Sequence, residues 1–147
     1  ACCCQIGAHY AGAEASSVER LAAYGQKLGV AFQIADDLLD LVGDEGKVGK
    51  SLGTDLVKQK LTLPMIRLLG SASSEHRQTV IEQLGRSDNH RRELLRPWLE
   101  RYDTFAYARG KAEAFIAGAV DELSCLPESP ARESLAAIAR FTLERQQ

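Results

Sequence analysis

Three acids set inside an otherwise apolar helical run constrain this chain more than any other feature. The run reads Phe32-Gln33-Ile34-Ala35-Asp36-Asp37-Leu38-Leu39-Asp40. At 100° per residue, with Asp36 at zero, Asp40 falls at about 40°, Gln33 at about 60° and Asp37 at about 100°. Val30, Ala31, Ile34, Ala35, Leu38, Leu39, Leu41 and Val42 fall between roughly 120° and 300°. One face is therefore expected to bury in protein while the other presents an amide and three carboxylates. Gly29, at about 20° on that face, leaves room for close approach.

The rest of the chain is built to hold such a helix. Ser16, with Glu19 three residues on, predicts a helix start with a capping box. The helix then runs to about Val42, roughly 26 residues or close to 40 Å. Residues 1–13 mix small and apolar side chains and predict the end of a core helix. Gly43, Gly46, Gly49 and Gly53 end the long helix in a loop that carries Lys47 and Lys50. A short helix follows Asp55, and Pro64 stands at the start of the next, Met65–Leu69. Ser73 or Ser74 caps a helix to about Leu84. Asp88 caps another through Leu99, with a kink or restart expected at Pro97. Asp103 or Thr104 starts a helix through Leu123 whose stripe is Phe105, Ala108, Ala112, Phe115, Ile116, Ala119 and Leu123. After a turn at residues 126–130, Ala131–Glu144 places Leu135, Ile138, Ala139 and Thr142 on one side. No segment alternates with period two, so the predicted class is all-α, in one domain or part of one.

Bulk properties narrow the partners. The 147 residues are 45% apolar with a net charge of −2, which gives no long-range attraction to nucleic acid or to an anionic membrane. No apolar run reaches the length of a membrane span, so stable membrane insertion is not expected. Cys2, Cys3, Cys4 and Cys125 lack the spacing of a zinc site. They are expected to be small buried residues in a reduced compartment, the cytoplasm by default. The chain opens on Ala1 inside an apolar helical run, which predicts a fragment of a longer protein.

The acids are energetically odd for a purely structural helix. They lie toward the negative end of the helix dipole, and Asp44 and Glu45 follow. Two charges about 6 Å apart repel by about 3 kcal/mol at an effective dielectric of 20. A divalent cation reverses that balance. Oxygen ligands without His or Cys favour Mg²⁺, which keeps waters and is shared with phosphates. The downstream lysines supply point charges for those phosphates. The structural alternative is a solvated acidic face followed by a basic loop. A nucleotide P-loop is excluded: Gly49-Lys50-Ser51 would require glycine at position 44, where Asp44 stands, and a preceding strand.

Read in register, the stretch is Gly25, Leu28-Gly29, Ala31-Phe32-Gln33, Asp36-Asp37, Asp40, Gly49-Lys50, Gly53, Asp55-Leu56, Lys60 and Thr62-Leu63-Pro64. It resembles the second aspartate-rich region of trans-isoprenyl diphosphate synthases, the polyprenyl synthetase family. Tyr107-Ala108-Arg109, Lys111-Ala112 and Leu126-Pro127 with Arg132 resemble that family's C-terminal helices. The resemblance covers essentially the whole chain but only about the C-terminal half of a family member. It implies the all-helical isoprenoid synthase fold, normally a homodimer, and condensation of an allylic diphosphate with the homoallylic isopentenyl diphosphate. It further implies Mg²⁺ as cofactor, with Asp36 as the foremost ligand and Asp37 and Asp40 in support. Lys50 and Lys60 would hold the allylic diphosphate, and Phe32 and Gln33 would border the homoallylic substrate. Arg145 is weighed as a further diphosphate contact, and a solvated terminal residue is favoured. The family's first D-D-x-x-D motif does not occur here, so the chain alone is expected to be inactive. Two alternatives are a non-catalytic subunit or binding protein of the same fold, and a helical lyase that ionises a prenyl diphosphate without condensation.

Overall fold

The computed structural model describes residues 1–43, 54–58, 60–85 and 91–144. Lys50, Asp44, Glu45 and Lys47, the cap assigned to Asp88, and Arg145 lie outside them. Among the described residues every regular element is helical, as the missing period-two alternation requires. The elements are α1 (Cys2–Tyr10), α2 (Ala15–Val42), α3 (Thr54–Val57), α4 (Leu63–Ser71), α5 (Ser74–Gly85), α6 (Arg91–Arg101), α7 (Thr104–Glu122), a 3₁₀ turn (Leu123–Cys125) and α8 (Pro130–Glu144). The chain divides into two compact units, one of residues 1–35 and 111–147 and one of residues 36–110.

In the first unit, Tyr24, Ala31, Ile116, Ala119, Leu123 and Ala139 form the core, with Cys4, Leu28, Leu135 and Leu143 packed against it. Small residues let the helices approach closely. A side chain at Gly25 would place its Cβ 2.7 Å from Cys4 Sγ, so that glycine sets the approach of α1 to α2. Tyr24 is fully buried, and its hydroxyl donates to the Leu135 carbonyl at 2.8 Å. Burial pushes that phenol above its ordinary pKa. On the rim, Glu122 accepts from Arg20 Nε at 2.9 Å and from Lys27 Nζ at 2.5 Å.

In the second unit the core is Leu41, Leu56, Met65, Leu68, Val80, Leu95 and Leu99. Truncating a fully buried leucine such as Leu95 to alanine costs about 2–5 kcal/mol. Pro64 occupies the first turn of α4, where a missing N–H costs nothing. Ser73 Oγ accepts from the His76 N–H at 3.3 Å, capping α5. Asp103 precedes α7 with φ of +51°, a left-handed conformation that aspartate tolerates, and its carbonyl accepts from Tyr107 N–H at 3.1 Å.

Four local expectations are corrected. The long helix starts at Ala15, and Val18 N–H bonds to the Glu14 carbonyl at 3.0 Å, so the Ser16–Glu19 capping box is not the start. No restart occurs at Pro97, which lies inside a continuous α6, with Leu95 and Leu99 on either side fully buried and the proline itself exposed. The cysteines are not buried: Cys2 and Cys3 are exposed, and Cys4 and Cys125 are intermediate, since α1 buries only Ala8 and the 3₁₀ turn that ends at Cys125 buries only Leu123. In the two apolar stripes, Phe115 is 36% exposed and Ile138 is 55% exposed, while their smaller neighbours Ala112 and Ala139 fill the interior.

Candidate functional site

Helix α2 buries Ala31, Ile34, Ala35, Leu38 and Leu41, as the wheel requires. Val30, at the edge of the same arc, and Val42, the last residue of α2, stand at 36% exposed. The acidic face departs more sharply from the helix-only reading. Asp36 is exposed and Asp40 half-buried, but Asp37 is only 6% exposed.

The reason is an element that a helical wheel does not contain. Lys60 follows α3 and reaches back over α2. Its Nζ donates to Asp37 Oδ1 at 2.9 Å and to Asp55 Oδ2 at 3.1 Å. The Asp55 backbone N–H donates to Asp40 Oδ2 at 3.0 Å. The Lys60 N–H returns to the Asp55 carbonyl at 2.8 Å, closing the turn that aims the ammonium. Two acids of the pattern are thus tied to the segment that begins at Thr54, and Asp36 is exposed. The Asp37 hydrogen bond first, and the Asp55 hydrogen bond second, raise the Lys60 pKa above the ordinary lysine value. The side chain is still 46% exposed, so the ammonium is charged at neutral pH and open to an anion on its outer side.

Asp55 is the residue that the motif contained without a role. It joins the network through both its backbone and its carboxylate, and only tertiary contact shows this. Phe32 and Gln33 belong to the other unit and are both exposed. Phe32 borders an apolar cavity of about 540 Å³ with Cys3, Cys4, Leu28, Gly29 and Phe141.

The donors suit a hard cation only in part. Among the described residues, no three His, Cys, Asp or Glu side chains converge as a metal cage. The carboxylates here are all oxygen donors, with Asp37, Asp40 and Asp55 engaged by the Lys60 ammonium and the Asp55 N–H and Asp36 exposed. This matches the habit of Mg²⁺, held by one or two carboxylates and completed by water and phosphate.

Comparison with known proteins agrees with the motif. Residues 1–100 match the polyprenyl synthetase family pattern. A short chain isoprenyl diphosphate synthase of Methanothermobacter thermautotrophicus is 39% identical over 142 residues, covering 97% of this chain and 44% of that protein. A decaprenyl diphosphate synthase structure from Rhodobacter capsulatus superposes with a TM-score of 0.87 at 30% identity, over 97% of this chain and 45% of that one. A polyprenyl synthase from Caulobacter crescentus CB15, solved in complex with calcium and isoprenyl diphosphate, superposes with a TM-score of 0.81 at 28% identity, over 97% and 44%. The chain therefore spans less than half the length of these relatives. No helix among the described residues is long and apolar enough to cross a membrane. With the family pattern matched over residues 1–100 and the α2 motif in register, the chain belongs to the polyprenyl synthetase family.

Proposed function

We propose that this chain contributes one diphosphate-binding wall of a prenyl-transfer site that condenses an allylic diphosphate with isopentenyl diphosphate to give a longer polyprenyl diphosphate. The observation that carries the reading is the lodging of Lys60 between Asp37 and Asp55 beside an outward Asp36. Asp36 would hold Mg²⁺, with Asp37 and Asp40 in support. When bound, the cation neutralises charge on the departing diphosphate. Lys60, anchored on its inner side, offers its outer side to the allylic diphosphate, and Lys50 is the second cation proposed for it. Phe32 and Gln33 are proposed to border the homoallylic substrate. The carboxylates orient the ammonium in advance, so little reorganisation is needed as charge develops on the leaving group.

The Caulobacter relative crystallised with calcium and isoprenyl diphosphate, which supports a divalent cation with a prenyl diphosphate as the ligand class. A homodimer and a cytoplasmic location are proposed on family grounds alone.

The test is a product assay on the complete protein that carries this chain, with an allylic diphosphate, labelled isopentenyl diphosphate and Mg²⁺. A longer diphosphate is expected. A hydrocarbon product would establish the lyase reading instead, and no product would favour the non-catalytic subunit. Residues 1–147 alone are expected to give no turnover, and condensation by that polypeptide would overturn its assignment as one part of the site.

A further inference from the structure

The first turn of α6 carries two adjacent arginines that grip two different backbones. Arg92 Nε donates to the Leu41 carbonyl at 2.7 Å, and a second nitrogen of the same guanidinium donates to the Gly43 carbonyl. Those carbonyls end α2, directly after Asp36, Asp37 and Asp40. Arg91 is buried, at 8% exposed, and its Nη1 donates to the Leu56 carbonyl of α3 at 3.1 Å. Successive helical residues diverge by about 100°, which lets neighbours in sequence reach separate elements.

Both grips answer a physical need. The final carbonyls of a helix lack partners within it and form the negative end of its dipole. At α2 that end adds to three aspartates, and the Arg92 fork both satisfies the carbonyls and offsets the charge. Helix α3 has four residues, far too few to hold itself. Its attachments include buried Leu56, the Asp55 N–H to Asp40, and Arg91. Leu95 and Leu99 fix α6 in the same core as Leu41 and Leu56, so the arginine pair works from a rigid base.

We propose that Arg91 and Arg92 are positioning residues that set the spacing between the aspartates of α2 and the Asp55–Lys60 segment, and so pre-form the diphosphate site; this rests on the function proposed above. Neither needs to touch substrate. Arginine suits Arg92 because a planar fork reaches two carbonyls, whereas a lysine supplies one point charge.

Amide hydrogen exchange on Arg91→Met and Arg92→Met variants of the full protein tests the clamp without any ligand. The expected result is exchange at the Asp55 and Lys60 amides faster by about tenfold or more, with the amides of α8 unchanged. Unchanged exchange at Asp55 and Lys60, or acceleration spread evenly over the chain, would overturn the proposal. If Arg91→Met does not fold, the half-exposed Arg92 decides alone. The second readout is calorimetric affinity for inorganic pyrophosphate with Mg²⁺, well below the unfolding temperature. A loss of about tenfold in Arg92→Met, partly restored in Arg92→Lys, is expected, in line with the effect of residues that support metal ligands. Affinity equal to wild type in Arg92→Met would overturn the positioning role. If the wild-type protein binds no Mg²⁺–pyrophosphate, the proposed function fails, while the exchange result still decides the clamp.

Discussion

Two three-membered ion clusters in this chain use the same chemistry with opposite charge. In the first unit one carboxylate, Glu122, is shared by two cations, Arg20 and Lys27. In the second unit one cation, Lys60, is shared by two carboxylates, Asp37 and Asp55. Each joins segments remote in sequence, and each holds its central group in the charged form. The Lys27 and Arg20 hydrogen bonds, in that order, lower the Glu122 pKa, as Asp37 and Asp55 raise that of Lys60. They differ in their surroundings. The Lys60 cluster sits beside further acids, Asp36 and Asp40 on α2. The Glu122 cluster is fastened further through backbone carbonyls, Arg20 Nη2 to Asp121 at 2.9 Å and Lys27 Nζ to Gly118 at 3.4 Å. An ion cluster set among several acids, one of them exposed, on a motif helix is suited to binding a counter-ion. One built around a single shared acid at a helix end is suited to fastening helices.

That contrast can be broken or sharpened experimentally. The largest expected effect is from Asp36→Ala in the complete protein, which should lower turnover by about two orders of magnitude or more while the helical circular dichroism signal stays nearly intact. Unchanged turnover would remove Asp36 from the chemistry. Lys60→Met should raise the KM for the allylic diphosphate by about 10- to 100-fold, with a smaller effect on the unfolding midpoint. Glu122→Gln should do the reverse: a modestly lower thermal midpoint, as expected of a partly exposed ion cluster, and an unaltered KM. A raised KM in that variant would erase the distinction between the clusters.

The smallest effect is on the pH dependence of stability. Glu122 titrates below its ordinary value of 4.5 in the folded protein. Its contribution is therefore present above that pH and lost as pH falls through the lowered pKa. Lys60 titrates above its ordinary value of 10.5, so its contribution is present below that pH and lost as pH rises further. Thermal melts across pH should show Glu122→Gln flattening the acid limb and Lys60→Met flattening the alkaline limb. Both limbs changing equally in either variant would contradict the assignment.

The sequence disclosed the helices well because their burial follows a single period. Ala31, Ile34, Ala35, Leu38 and Leu41 bury as their spacing on α2 demands, and Pro64 and Ser73 mark helix starts by local chemistry. It failed where a second element changes what a residue does. A wheel for α2 places Asp37 beside Asp36, yet Lys60 covers one and leaves the other open. Pro97 offers a restart, yet α6 continues through it with Leu95 and Leu99 buried on either side. Asp55 and the Arg91–Arg92 pair were invisible as functional residues, because the Asp55 N–H meets the Asp40 carboxylate 15 positions away and the arginines meet backbone carbonyls 35 and 51 positions away. The cysteines misled through composition: small sulfur side chains are commonly buried, but only burial of a whole helix face would have made them so.

The most direct test of the α2 acidic cluster as a cation–diphosphate site is calorimetric titration of inorganic pyrophosphate into the wild-type and Asp36→Ala proteins, with and without Mg²⁺. Binding by the wild type that requires Mg²⁺ and weakens at least about tenfold in Asp36→Ala is the predicted result. Equal affinity in the two proteins, or binding that ignores Mg²⁺, would contradict it.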